Sequence, residues 1–303
     1  MKRVINFMGV RHLAFALTVL LTIASLGSLV VKGLNFGLDF TGGTLIELGY
    51  ERPVGLEQVR GQLVQAGFTD AVVQSFGATT DVLVRMPGDD PQLGERIASA
   101  LRNADGGNSV SVKRVEFVGP AVGEELRDQG GLGMLLALGG ILVYVAFRFQ
   151  WKFGLGAVLS LFHDVIVVLG VFSFFQISFD LTVLAAVLAV IGYSLNDTIV
   201  IFDRIRENFR MLRKAELLEN INISTTQTLL RTMATSVSTL LAVGALMVFG
   251  GENLWGFSLA LLVGVGVGTS SSVYVAGMLL VWLKLTRDDL IPPVAEEEVD
   301  DRP

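Results

Sequence analysis

"GYSLNDTIVIFDRIREN", residues 192–208, places Asn196 and Asp197 inside a stretch that otherwise has the composition of a membrane-spanning helix. The run before it, "LTVLAAVLAV" at 181–190, carries no charge, and "DRIREN" at 203–208 ends the apolar pattern. An ionised carboxylate in hydrocarbon costs roughly 2.5–3.5 kcal/mol on insertion scales. A membrane helix that keeps Asp197 needs a compensating partner, and the search for it orders the rest of the chain.

The 303 residues are 51% hydrophobic and 17% charged, with the charges gathered in blocks. Six apolar runs approach the roughly 20 residues that cross a bilayer. They place a polytopic α-helical membrane protein with six transmembrane helices at 13–31, 130–148, 153–175, 181–203, 224–250 and 254–284. The first run is longer than the roughly 7–15 residues of a signal-peptide core and no convincing A-x-A site follows it, so it reads as an uncleaved span. The chain has no cysteine. That excludes disulfides, thiolate metal ligands and a thiol nucleophile; no metal or cofactor is expected. No basic stripe interleaved with aromatics is present, so no nucleic acid is expected as a partner.

Basic residues near span ends set orientation. Lys2, Arg3 and Arg11 precede the first span, and Arg148 and Lys152 join the second to the third. Arg204, Arg206, Arg210, Arg213 and Lys214 lie in the 204–223 loop, and Lys284 and Arg287 follow the sixth span. The opposite connections, "SFFQISFD" and "GGENLW", carry no Lys or Arg. All six spans agree on one topology, with residues 1–12 and the acidic tail 285–303, including "EEEVDD", in the cytoplasm.

Residues 32–129 then lie on the outer, periplasmic side, with a lead-in helix to the second span. "GGTLIELGY" (42–50) reads as a strand, and 55–67 as a helix with Val59, Leu63 and Val64 on one face. Residues 70–77 and 80–87 read as a hairpin turning at 77–79. A second helix at 91–104 has Pro91 early and repeats Leu93, Ile97 and Leu101. A last strand follows at 109–118. The order β-α-β-β-α-β fits one extracytoplasmic α+β ferredoxin-like domain between the first two helices.

Asp197 lies six residues before Asp203, the expected cytoplasmic boundary, or about 9 Å inside. "STTQ" at 224–227 fits a capping box that opens the fifth span at Ser224. Arg231 is seven residues further in, about 10 Å, so acid and base reach similar depths on sequential antiparallel helices. Arg231, Thr235, Ser238 and Thr239 share one face of that helix, and Ser194, Asp197 and Thr198 share one face of the fourth. The third span adds His163 and Asp164. Two readings stand: a buried ion pair that only fixes packing, or a protonatable Asp197 whose titration makes Arg231 change partners. His163 is either a hydrogen-bonded packing residue or a relay member. Asn196, about 100° around the helix, either orients the acid or bonds a neighbour. The i+4 series Gly264, Gly268, Ser272 and Ala276 permits close helix packing.

"GLDFTGGT" (37–44), "VGPAVGEEL" (118–126), "FHDV" (162–165), "GYSLNDTIVIFDRIREN" and "RTMATSVSTL" (231–240) together resemble the SecD/SecF family of bacterial protein-export membrane proteins, most closely its SecF branch. The likeness implies a half of a transporter of the proton-driven resistance-nodulation-division superfamily. It implies SecD and the SecYEG channel as partners, a translocating unfolded polypeptide as cargo, and the proton-motive force as the energy source at the bacterial inner membrane. The proton pathway it implies maps onto Asp197 and Arg231, with Asn196, Thr235, His163 and Asp164 as further candidates. Gly37, Asp39, Gly42, Gly43, Gly119 and Pro120 become hinge positions between membrane and outer domain. No bond-making enzyme is implied. The rival readings are a small-molecule antiporter half, for which a domain of this size offers little cavity, and a scaffold of the translocase.

Overall fold

The structure, a computed structural model, describes residues 4–87, 90, 92–104, 109–212, 215–286 and 289. Lys2, Arg3, Pro91, Arg213, Lys214, Arg287 and the acidic run 296–301 lie outside these residues. The chain begins with α1 (Arg11–Lys32), β1 (Asn35–Phe36) and α2 (Leu38–Thr41). The outer domain follows as β2 (Gly43–Tyr50), α3 (Leu56–Gln65), β3 (Val72–Phe76), β4 (Ala78–Met86), α4 (Leu93–Ala104) and β5 (Val110–Val118). The remaining elements are α5 (Pro120–Arg148), α6 (Trp151–Phe175), β6 (Ser178–Phe179), α7 (Leu181–Met211), α8 (Leu217–Phe249) and α9 (Glu252–Trp282). The helices α1, α5, α6, α7, α8 and α9 are each long and apolar enough to cross a membrane.

The sheet order β3-β4-β2-β5, with every pair antiparallel, is that of a ferredoxin-like unit. One face is covered by α3 and α4, which bury Val59, Leu63, Ile97 and Leu101 against Ile46, Leu48, Val82 and Val84. Val64 departs from the expected face and is 48% exposed. It lies about 100° around the helix from Leu63, too far to share the buried stripe. The hairpin is tighter than expected. Gly77 turns it alone at φ +68°, and Phe76 pairs with Ala78. Between the two helices runs an open cleft of about 450 Å³, lined by Phe68, Gln92, Glu95, Arg96 and Ser99 among others. The domain therefore has more concave surface than its length suggested, but the cleft is open and lined about equally by polar and apolar surface, unlike an enclosed, mostly apolar ligand pocket.

Within the bundle, α6, α7 and α9 bury roughly half of their apolar windows, and α1, α5 and α8 less than a fifth. The inner three make the core and the outer three present their apolar faces outward. Two clusters fill it. Phe40, Phe172, Phe179, Val187 and Val190 sit at the end nearer the ferredoxin-like domain, and Met8, Phe149, Phe153, Phe202 and Ile221 at the opposite end.

Both helices of the opening argument run further than their apolar patterns. Helix α7 continues past Asp203 to Met211, and Asp203 pairs with Arg148 and Arg206. Helix α8 starts at Leu217 with Glu216 as its cap, so Ser224 is an interior residue and the expected capping box is not formed. The reason is packing. Ile221 is buried in the cluster with Met8, Phe153 and Phe202, while Ser224 accepts from Asn208 and donates to Asn220. The seven added residues gain tertiary contacts that an isolated helix end would lack.

Candidate functional site in the membrane bundle

Close approach of α9 to α7 builds the polar centre. A Cβ at Gly264 would lie 2.2 Å from Val190, and one at Gly268 would lie 3.1 Å from Ser194. Only glycine lets the two backbones come this near. Asp164 of α6 is fully buried where these helices meet. Its Oδ1 is 2.9 Å from His163 Nδ1, and its Oδ2 accepts hydrogen bonds from Ser194 of α7 and, at 2.8 Å, from Ser271 of α9. Ser160, one turn before Asp164, donates to Ser271 at 3.1 Å. Thr198 and Ser272 share a second α7–α9 hydrogen bond of 2.8 Å. The carboxylate thus ties three helices together with both of its oxygens hydrogen-bonded.

Asp197 lies on the same face of α7 as Ser194 and Thr198, as the spacing predicts, and all three are at most 2% exposed. It differs from Asp164 in one respect: its Oδ2 has no hydrogen-bond partner. Its polar neighbour is Ser236 of α8, which also bonds Tyr193 and Thr269. Arg231 acts on Asp197 through its field but forms no ion pair with it among the described residues, and its side chain is exposed. The depth match survives the changed helix ends. Each residue sits fourteen positions, about 21 Å, from the end of its helix at the α7–α8 connection. Thr235 is turned to its own backbone, donating to Arg231 O and Thr232 O. Asn196 is exposed on the far side of α7. His163 Nε2 and Thr232 Oγ1 are two more buried polar atoms without a partner. Spacing found Asp197, Ser194 and Thr198. It missed Ser160, which stands at i−4 from Asp164 and was open to the same rule, and Ser271, which is 107 residues away.

The second locus is the seam between bundle and outer domain, where the motif "GLDFTGGT" falls. Strand β1 pairs in parallel with β6, joining Asn35 to Ser178 and Phe36 to Phe179. Asp39 Oδ2 accepts from Leu181 N at 3.0 Å and Asp180 from Val183 N at 2.9 Å, so two carboxylates serve the N-terminus of α7. Gly42 and Gly43 use positive φ of +65° and +113°. Gly37 and Gly119 do not; both are extended residues ahead of a helix, and Pro120 opens α5. Arg85 of β4 donates to Phe36 O at 2.6 Å and to Ser178 Oγ at 3.2 Å. Burial lowers its pKa from the ordinary guanidinium value, against the opposing field of Asp180.

Six membrane-crossing helices, a ferredoxin-like unit inserted after the first, and buried acids midway along inner helices define a polytopic membrane protein of the transport class. The model described as "Protein export membrane protein SecD/SecF, C-terminal" matches residues 97–286, and the "SecD/SecF GG Motif" matches residues 27–54. The chain belongs to the SecD/SecF family of protein-export membrane proteins. It is 72% identical over 299 residues to the protein translocase subunit SecF of Pseudomonas aeruginosa, covering 99% of this chain and 98% of that one. It is 42% identical to protein translocase subunit SecDF of Thermus thermophilus, covering 93% of this chain but 39% of the longer relative. The crystal structure of SecDF, a translocon-associated membrane protein from the same organism, superposes with a TM-score of 0.85 at 40% identity, again over 93% and 39% of the two chains.

Proposed function

We propose that this chain pairs with a SecD subunit beside the SecYEG channel and uses the proton-motive force to promote late steps of polypeptide export. The observation that carries the proton step is Asp197, buried at mid-helix with one oxygen unpartnered and Arg231 at the same depth. Protonation removes the charge that Arg231 senses and shifts α7 against α8. Asp164, whose oxygens are occupied, holds α6, α7 and α9 together while this happens. The SecD partnership draws support from the Thermus relative, whose name joins SecD to SecF and of which this chain matches 39%. The basic residues at one set of helix ends favour the inner membrane with both termini cytoplasmic and residues 32–129 periplasmic.

The test is export of a secretory precursor into inner-membrane vesicles carrying Asp197→Asn. Expected are loss of the proton-dependent stimulation and undiminished co-purification with the partner and channel. Proton-dependent export at the normal rate in that variant sinks the proposal.

A further inference from the structure

The proton reading leaves open how a change at Asp197 reaches the outer domain. We infer that Asp39 and Arg85 are positioning residues that clamp the outer end of α7 to the outer domain, so that helix end and domain move as one body. The inference rests on the proposed function for its meaning but on the seam's geometry for its substance.

Four independent contacts meet there. The β1–β6 pair joins the exit of α1 to the segment leading into α7, and Gly37 N adds a 2.8 Å bond to Phe179 O. Asp39, from the motif, caps α7 itself. Phe36, Phe40, Phe172 and Phe179 form an aromatic cluster with ring centroids 5.9–6.3 Å apart. Arg85 then reaches from the domain's own sheet into this assembly, where one guanidinium serves Phe36 O, Asn35 Oδ1 and Ser178 Oγ. A planar, multiply donating group fixes three acceptors at once in a way that a lysine cannot.

The glycines support a clamp over a hinge. A Cβ at Gly37 would meet Asp180 Cβ at 2.9 Å, one at Gly42 would meet Pro120 Cα at 2.8 Å, and one at Gly43 would meet Met86 O at 2.6 Å. A pivot needs room to turn; these three positions have none, and Gly119 alone of the motif glycines lies in open space, on the α5 side of the domain. From Leu181 to Asp197, α7 is one continuous helix without proline, about 24 Å long. It is a stiff path between the buried acid and the outer domain.

The chain has no native cysteine, so paired labels are clean. Spin labels at Gln58→Cys and Ala185→Cys, both exposed positions, report the distance from the domain to the outer end of α7 in the full chain in nanodiscs. One narrow distance is expected, unchanged when Asp197→Asn is added and broadened by Arg85→Gln, with Arg85→Lys between. Two populations with the clamp residues intact, or a distance that changes with Asp197→Asn, would overturn the clamp. As a second arm, Asn35→Cys with Ser178→Cys is cross-linked in vesicles and compared with its own reduced form. Equal proton-dependent export is expected, whereas a loss that dithiothreitol reverses shows that the pair must open and refutes the inference. Where the reduced form does not export, the label distance decides alone. Arg85→Gln should lower export roughly tenfold. Normal export by Asp197→Asn would remove the proton reading and leave the distance measurement standing.

Discussion

Asp164 and Asp197 are both buried acids of inner helices, yet their substitutions should separate. An asparagine at 164 keeps one acceptor oxygen where the carboxylate serves His163, Ser194 and Ser271. Asp164→Asn should therefore destabilise the bundle by about 1–3 kcal/mol, read as a lowered unfolding temperature in detergent. Ser271→Ala should cost about 1 kcal/mol by the same measurement. Asp197→Asn has no hydrogen bond at Oδ2 to lose. Its unfolding temperature should stay where it was while proton-dependent export fails. Equal destabilisation by Asp164→Asn and Asp197→Asn would remove the distinction between a fastening acid and a working one. The face that holds Asp197 was legible because helical spacing is local. The fastening at Asp164 was not, since its donors come from three helices and no periodicity links position 164 to 271.

The α7–α9 crossing depends on side chains that are absent. Gly264→Leu would drive a Cβ into Val190 and pry apart the helices that carry Ser194 and Ser271. Overpacking of this kind costs about 1–3 kcal/mol. Gly266→Ala meets nothing within 4 Å and should be tolerated, so the pair of variants in one unfolding assay checks the crossing. A similar contrast holds at the seam. Gly43→Ala must adopt φ +113° against Met86 O, whereas Gly119→Ala has an extended backbone and open space. Loss of folded protein should follow the first and not the second, as judged by protease resistance of the outer domain. Element types and their order were readable from hydrophobic period and turn residues, down to the split βαβ pattern. Element ends were not. The starts and stops of α7 and α8 are set by Ile221 packing in the cluster with Met8 and Leu280 and by the Asn208, Asn220 and Ser224 hydrogen bonds that join the two helices, which override the point where apolar character fades.

For the whole molecule, the proposed sidedness rests on the basic residues at one set of helix ends and can be checked directly. Ser99→Cys on α4 should react with a membrane-impermeant maleimide in intact cells lacking only the outer membrane barrier. Glu207→Cys on α7 should react only after permeabilisation; the reverse pattern inverts the topology. Both positions are exposed, so accessibility to reagent is not limited by the fold. Sidedness also fixes an order of events. All strands of the outer domain exist once Val118 has emerged, but Ser178, which receives Arg85, comes about sixty residues later, several seconds of synthesis at the usual rate of roughly 5–20 residues per second. During that interval the domain is complete but not yet joined to α7, and Arg85 has Phe36 O and Asn35 Oδ1 within reach but not Ser178 Oγ. Docking waits for the hairpin of α6 and α7 to insert. A nascent chain halted before residue 178 should therefore carry a folded domain on a protease-sensitive stalk, and one released after α7 should have lost that sensitivity. The domain is thus tied to α7 only when Ser178 arrives, before α8 and α9 complete the bundle.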